Sequence, residues 1–189
     1  ELGKIGNMDE VTNEVKLMLD PNSDPYSQDG VSDANLNKSF GAKDIGDLNW
    51  VQLMNAYACT ECGRCTSECP ANQTGKILSP RKIMMDTRKR LKEVGKNIDK
   101  HGKDYTDNKN LLNDYISPEE LWACTTCNAC TQACPLNIDP LSIIMDMRRY
   151  LVMEKSEAPS ELNMMFTNLE NNGAPWQFSS SDRLNWKDE

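Results

Sequence analysis

The segment ACTECGRCTSECPA, Ala58 to Ala71, puts four cysteines into eleven residues and follows the last with proline. The same C-x2-C-x2-C-x3-C-P spacing returns in ACTTCNACTQACPL, Ala123 to Leu136, and all eight cysteines of the chain lie in these two runs. Disulfide frameworks scatter their cysteines along short chains destined for oxidising compartments. Thiols packed this closely are instead arranged to face a common centre.

The runs belong to a longer internal repeat. Cys59, Cys62, Cys65 and Cys69 align with Cys124, Cys127, Cys130 and Cys134 at a constant offset of 65. Downstream, LSPRKIMMDTRKRL (Leu78 to Leu91) lies against IDPLSIIMDMRRYL (Ile138 to Leu151) at an offset of 60, so the first repeat has five extra loop residues. Ser79-Pro80 and Asp139-Pro140 each supply a helix N-cap acceptor followed by proline at the first helical position. Ile83, Met84, Leu91 and Val94 then recur at helical spacing, as do Ile143, Ile144, Met147 and Leu151. Upstream, Ser117-Pro118-Glu119-Glu120 reads as a capping box leading into LWAC, and Asp47 caps the matching LNWVQLMNAYAC. Each repeat therefore reads helix, cysteine run, helix. Strand-like alternation is nearly absent, so the expected fold class is all-α with a pseudo-two-fold axis.

Around this core, Glu10 to Leu19 predicts an amphipathic helix ended by Asp20-Pro21, and the stretch to about Lys43 a polar connection. Residues 1–46 are expected to form an N-terminal helix and arm, 47–155 the repeat domain and 156–189 a tail. Lys96 to Asn110 reads as a loop between the repeats, and Ser160 to Leu169 as a short helix before an extended tail with packed aromatics. The chain starts at Glu1, which suggests a region of a longer product. Its longest apolar stretches are a few residues, against the roughly 20 that cross a bilayer. No signal-peptide pattern is present, so a cytoplasmic setting is expected, or the inner face of a membrane reached through a partner or a missing segment. A net charge of -8 argues against nucleic acid as a partner. The charge is uneven: Glu1 to Trp50 has ten acids against four bases, and Arg81 to Lys109 has ten bases against five acids.

Three cysteines at x2, x2 spacing wrap their sulfurs around one corner of a cubane, and the proline after the fourth turns the chain away; this is [4Fe-4S] chemistry. In the bacterial two-cluster arrangement the fourth cysteine of each run serves the other cluster. The expected ligand sets are therefore Cys59, Cys62, Cys65 and Cys134 for one cluster, and Cys124, Cys127, Cys130 and Cys69 for the other. Zinc, the main rival, favours separated C-x2-C pairs or histidines. Crossed ligation staples each repeat to the other. With only three phenylalanines, the domain is expected to depend on its metal for folding.

The run ACTECGRCTSECPANQTGKILSP, the WACTTCNACTQACP copy and the MRRYL helix resemble the dicluster region of heterodisulfide reductase iron-sulfur subunits and glycolate-oxidase-type iron-sulfur proteins. The likeness extends from about Phe40 through FTNLENNGAPWQF to Arg183 and Trp186. It implies an α-helical ferredoxin architecture, shared with the iron-sulfur subunit of succinate dehydrogenase. Longer relatives continue into a cysteine-rich domain and often carry membrane helices ahead of the dicluster part. Their tail usually reads Asn-Pro-Trp-Gly where this chain has Ala174-Pro175-Trp176-Gln177.

Other features have plain readings. His101 reads as a solvated loop residue, the methionines Met84, Met85, Met145, Met147, Met164 and Met165 as core filling, and the basic stretch as a solvated helix and loop or a docking face for acidic partners or lipid headgroups. Glu61, Arg64 and Glu68 flank the first run, but their signs partly cancel and give no ranking of the clusters. No nucleophile elbow, Walker loop or dinucleotide fingerprint accompanies the cysteines. The expected function is single-electron relay between a donor, a flavoprotein or quinone-linked membrane subunit, and a catalytic redox partner such as a cysteine-rich domain. The alternative is a non-redox interaction or nucleic-acid module pinned by structural clusters. For the tail, Trp176, Phe178 and Trp186 are expected either to cover a cluster or to receive the next redox domain.

Overall fold

A computed structural model describes residues 39–187 and, before them, helical positions Thr12, Val15, Lys16, Met18 and Leu19, all exposed. The remainder of the expected Glu10 to Leu19 helix, and the polar connection as far as residue 38, lie outside the described residues. Described residues up to Glu154 form one compact unit, and those from Lys155 onward another.

The first unit is helical. Helix α1 (Trp50–Ala58) precedes the first cysteine run, whose residues form the single turns α2 (Arg64–Ser67) and α3 (Pro70–Gln73), and α4 (Pro80–His101) follows. The second repeat gives α5 (Pro118–Trp122), α6 (Ala129–Ala133) and α7 (Pro140–Met153). Among the described residues there is no strand, only an isolated bridge between Leu112 and Ile116. No described helix is long and apolar enough to cross a membrane.

The helix starts follow from the capping chemistry. Ser79 Oγ accepts from Lys82 N, Asp139 accepts from Leu141 N and Ser142 N, and proline occupies the first helical position of both helices. Upstream, Ser117 and Glu120 form the expected capping box, whereas Asn49 with Gln52, rather than Asp47, caps α1. Asp47 instead closes a short 3-10 turn over Ile45–Asp47. Helix α4 continues through Lys96, where composition suggested a loop. Its end comes at Gly102, which has a φ of +89° and donates its N–H to Ile98 O. His101 is thus the last helical residue, exposed and stacked on Tyr105 at 4.4 Å.

The core lies between the two long helices. Ile143, Ile144, Met147 and Leu151 are all buried on α7, and Ile83 and Met84 on α4, joined by Leu78, Leu111, Ile116 and Leu121. Each such side chain contributes about 1.5–3 kcal/mol relative to exposure. Leu91 and Val94 are only half-buried; Thr87 and Arg90 take the deeper positions on α4. Residues 40–48 also pack here. Ala42 N donates to Asp146 O at 3.0 Å, and Phe40 N to Glu154 Oε1 at 2.7 Å. A Cβ on Gly41 would lie 2.2 Å from Asp146 O, so only glycine permits this approach.

Polar contacts lock one repeat onto the other. The third residue of each upstream helix is buried and reaches the downstream helix of the other repeat. Gln52 Nε2 donates to Asp146 Oδ2 at 2.6 Å, and Lys82 Nζ meets Glu120 Oε1 at 2.8 Å while also pairing with Asp86 at 3.1 Å. Arg90 adds a knot confined to the first repeat. Only 3% exposed, it donates to Asp44, to Asp107 and to Lys109 O.

In the second unit, α8 (Ser160–Asn172) ends at Gly173 in the left-handed region, and Ser180–Lys187 is 3-10 helical rather than extended. Trp176, Phe178 and Trp186 are exposed on this unit.

Candidate metal centre

Each cysteine run is built on two left-handed residues. Glu61 and Gly63 have φ of 60° and 84°; their counterparts Thr126 and Asn128, 65 residues on, have 56° and 60°. Two such reversals within one C-x2-C-x2-C run curl the backbone so that N–H groups turn inward. Thr126 N donates to Cys124 Sγ at 3.4 Å. In the first run the Arg64 backbone N–H is the largest influence on Cys62, which with Thr60 holds that thiol below its usual pKa.

The fourth cysteine crosses over. One small cavity, about 20 Å³ with a partly open mouth, is lined by Cys59, Cys62 and Cys65 together with Cys134 of the other repeat; Cys130 also reaches its wall. Cys134 is close enough for its charge to act on both Cys59 and Cys65. Correspondingly, Cys69 lies within electrostatic reach of Cys124, as does Cys127. The turns carrying the two runs, α2 and α6, face each other across an open groove that exposes Cys62. Cys134 thus stands beside the first run and Cys69 within electrostatic reach of the second.

Burial dominates at four other thiols. It raises Cys59, Cys65 and Cys124, and pushes Cys130 up to about 11, because a bare thiolate loses its solvent there. Arg88 opposes the rise at Cys59 and Arg148 opposes it at Cys124. These cations occupy equivalent places. Arg88 Nη1 donates to Cys59 O at 3.0 Å, and Arg148 Nη2 to Cys124 O at 2.5 Å and to Leu121 O. Each arginine therefore fastens its downstream helix to the first cysteine of its own run. Glu61 also pairs with Arg88, whereas Arg148 has no carboxylate partner among the described residues and lies 4.9 Å from the Trp122 ring. The repeat alignment matched these arginines, but spacing alone did not show what they hold.

Threonines after the third cysteines connect the runs to the helix caps. Thr66 Oγ1 and Ser79 Oγ share a hydrogen bond at 2.9 Å, and Thr131 Oγ1 donates to Asp139 Oδ1 at 3.4 Å.

The donor set is eight thiols in two pseudo-symmetric groups with inward N–H groups and nearby cations, which suits thiolate-ligated iron-sulfur cubanes. No three described His, Cys, Asp or Glu side chains converge as a single bound ion requires. His101 lies in the helix end and is not among the cavity residues.

Known proteins with this pattern are iron-sulfur proteins. The chain is 36% identical over 183 residues to a probable iron-sulfur-binding oxidoreductase, FadF, of Bacillus subtilis, covering 80% of this chain and 26% of that protein. It is 32% identical over 171 residues to the EtfAB:quinone oxidoreductase of Syntrophomonas wolfei, covering 80% of this chain and 24% of the relative. It is also 33% identical over 102 residues to one subunit of the ferredoxin/F420H2-dependent CoB-CoM heterodisulfide reductase of Methanosarcina acetivorans, covering 53% of this chain and 49% of that subunit. The chain spans about a quarter of the length of the first two relatives. The family described as 4Fe-4S dicluster domain matches residues 58–138, from the residue before the first cysteine to the residue before α7's cap. Residues 58–138 therefore match the 4Fe-4S dicluster domain family, the described residues are all-α, and the cysteines suit two [4Fe-4S] clusters.

Proposed function

We propose that this chain relays single electrons through two [4Fe-4S] clusters, between a flavin- or quinone-linked donor and a catalytic redox partner. Cys59, Cys62, Cys65 and Cys134 hold one cluster, and Cys124, Cys127, Cys130 and Cys69 the other. The observation that carries the assignment is the cavity where three cysteines of one run meet the fourth of the other. Bound cubanes supply reversible one-electron transfer without making or breaking substrate bonds. The polypeptide contributes the rest. Helices α4 and α7 hold water away from the inner sulfurs, while Arg88 and Arg148 fix the first cysteine of each run. Exposed Cys62 and Cys127 provide sulfur at the surface for electron exchange.

The relatives' names, a quinone oxidoreductase and part of a heterodisulfide reductase, support a place within a multisubunit oxidoreductase. The dicluster domain is taken as 47–155, with 1–46 an arm and 156–189 a linking or docking tail, working on the cytoplasmic side with a membrane-bound or flavin partner. Anaerobically purified protein is expected to contain about eight irons and eight sulfides and to be reduced reversibly in two one-electron steps. Clusters that resist reduction, combined with salt-sensitive nucleic-acid binding, would instead make them structural pins.

A further inference from the structure

The two sites share their scaffold but differ in charge. Where the first has Ser79 bonded to Thr66, the second has Asp139 bonded to Thr131, next to Cys130. Where the first has Arg81 on the cavity wall, the second has buried Leu141. Arg64 and Glu68 stand on the groove rim by Cys62, and their counterparts are Ala129 and Ala133. Glu61 neutralises Arg88, and its counterpart is Thr126. The charged groups facing the first site are therefore the Arg88–Glu61 pair, the exposed Arg64 and Glu68, and the exposed Arg81. Those facing the second are Arg148 and Asp139.

Exposed or mutually paired charges act weakly through water. Asp139 is half-buried, accepts N–H bonds from Leu141 and Ser142 and the Thr131 hydroxyl, and its charge reaches Cys130. Burial pushes the Asp139 carboxyl up from its usual range, and those donors pull back towards the ionised carboxylate. A cluster gains negative charge on reduction, so a fixed carboxylate disfavours its reduced form.

We propose that Asp139 holds the cluster on Cys124, Cys127, Cys130 and Cys69 at the lower of the two reduction potentials, so that transfer to the cluster on Cys59, Cys62, Cys65 and Cys134 is downhill. In that step one electron leaves the former and enters the latter, after delivery to the former by a reduced flavin or quinol. The inference rests on the crossed ligand sets proposed above.

The exchange between repeats supplies its own control. Asp139→Ser installs the other repeat's cap, and serine retains N-capping ability. Ser79→Asp does the reverse. Redox titration of the holoprotein with dithionite and mediators, followed by EPR, should resolve two midpoints. Asp139→Ser is expected to raise the lower midpoint by about 59 mV, a tenfold change for one electron, with the upper moving less. Ser79→Asp is expected to lower the upper midpoint, with iron content unchanged in both. If Asp139→Ser leaves both midpoints in place, or moves the upper one more, the inference is overturned while the two-cluster relay stands. Two clusters that never reduce in the parent protein overturn the relay itself, and the inference with it.

Discussion

In the first repeat the downstream helix runs for 22 residues and sends Arg90 into a knot with Asp44 and Asp107; in the second it stops after 14, with Tyr150 at the equivalent position. Yet the residues nearest the cysteines are nearly superposable in role: paired left-handed turns, an arginine on the first cysteine's carbonyl, a threonine bonded to the helix cap. The ligand-bearing turns have little freedom to differ, because a cubane dictates where sulfurs and amides stand. Helix length and charge pairing lie outside that constraint, and there the repeats diverge.

The largest test of this comparison removes a shared ligand. Cys69→Ser is expected to eliminate chiefly the cluster of the second run, and Cys134→Ser that of the first, each leaving about four of eight irons. Site-resolved Mössbauer or EPR spectra decide: damage confined to the mutated residue's own run would mean local rather than crossed ligation.

Next comes the knot found in one repeat only. Arg90→Met leaves Asp44 and Asp107 facing each other without their cation, and should cost about 3 kcal/mol in chemical denaturation of the holoprotein. The Arg90 guanidinium also holds Asp107 down to about 2. A carboxylate depressed on folding contributes stability that is present above its unfolded pKa and lost as pH falls towards about 2. Arg90→Met should therefore flatten the acid limb of the stability profile. An unchanged profile would reduce the knot to a surface feature.

The two cross-repeat latches should rank by charge. Glu120→Ala strips the Lys82 ion pair and half of a capping box, for about 2–3 kcal/mol; Gln52→Ala also strips half of a capping box, with a hydrogen bond from an uncharged amide to Asp146, and should cost about 1–2 kcal/mol. Equal losses in urea titration would show that charge adds nothing here. The smallest effect concerns acidification. A thiol as high as Cys130, at about 11, is fully protonated at neutral pH, so metal must displace its proton and retention weakens as pH drops. In the first run burial raises Cys59 and Cys65 as well, but Cys62 is shifted down by the Arg64 backbone N–H. Cluster signals followed from about pH 8 to 6 should therefore fade first at the second site; simultaneous loss would argue that burial of a single ligand is immaterial.

Much of this was legible in the residues because it obeys local rules. Cysteine spacing, the Ser79-Pro80 and Asp139-Pro140 starts, and the buried set Ile143, Ile144, Met147 and Leu151 follow from geometry within a turn or two. What escaped was long-range or depended on a termination signal. The α4 extension past Lys96 uses polar residues indifferent between solvated helix and loop, and its anchor, Asn97 Nδ2 to Asp107 Oδ2, spans the loop. Asn49 displaced Asp47 as the cap because its amide and Gln52 satisfy each other reciprocally. Arg148 looked like any basic helix residue until Leu121 and Cys124 carbonyls were found beside it. The proposed ranking of the clusters rests on which charges are paired and which half-buried, and neither can be read from spacing.

The close seat of Gly41 and Ala42 on α7 has a consequence for synthesis. Gly41 and Asp146 are 105 positions apart, and a chain elongating at about 5–20 residues per second separates their emergence by roughly 5–20 s. During that interval the first run leaves the ribosome with no α7 to cover it, and without Cys134 to complete its cavity. Its thiols then face solvent as an open, oxidisable set. A nascent first repeat is thus no miniature of the finished domain, and cluster delivery must wait for, or be chaperoned until, the second half arrives.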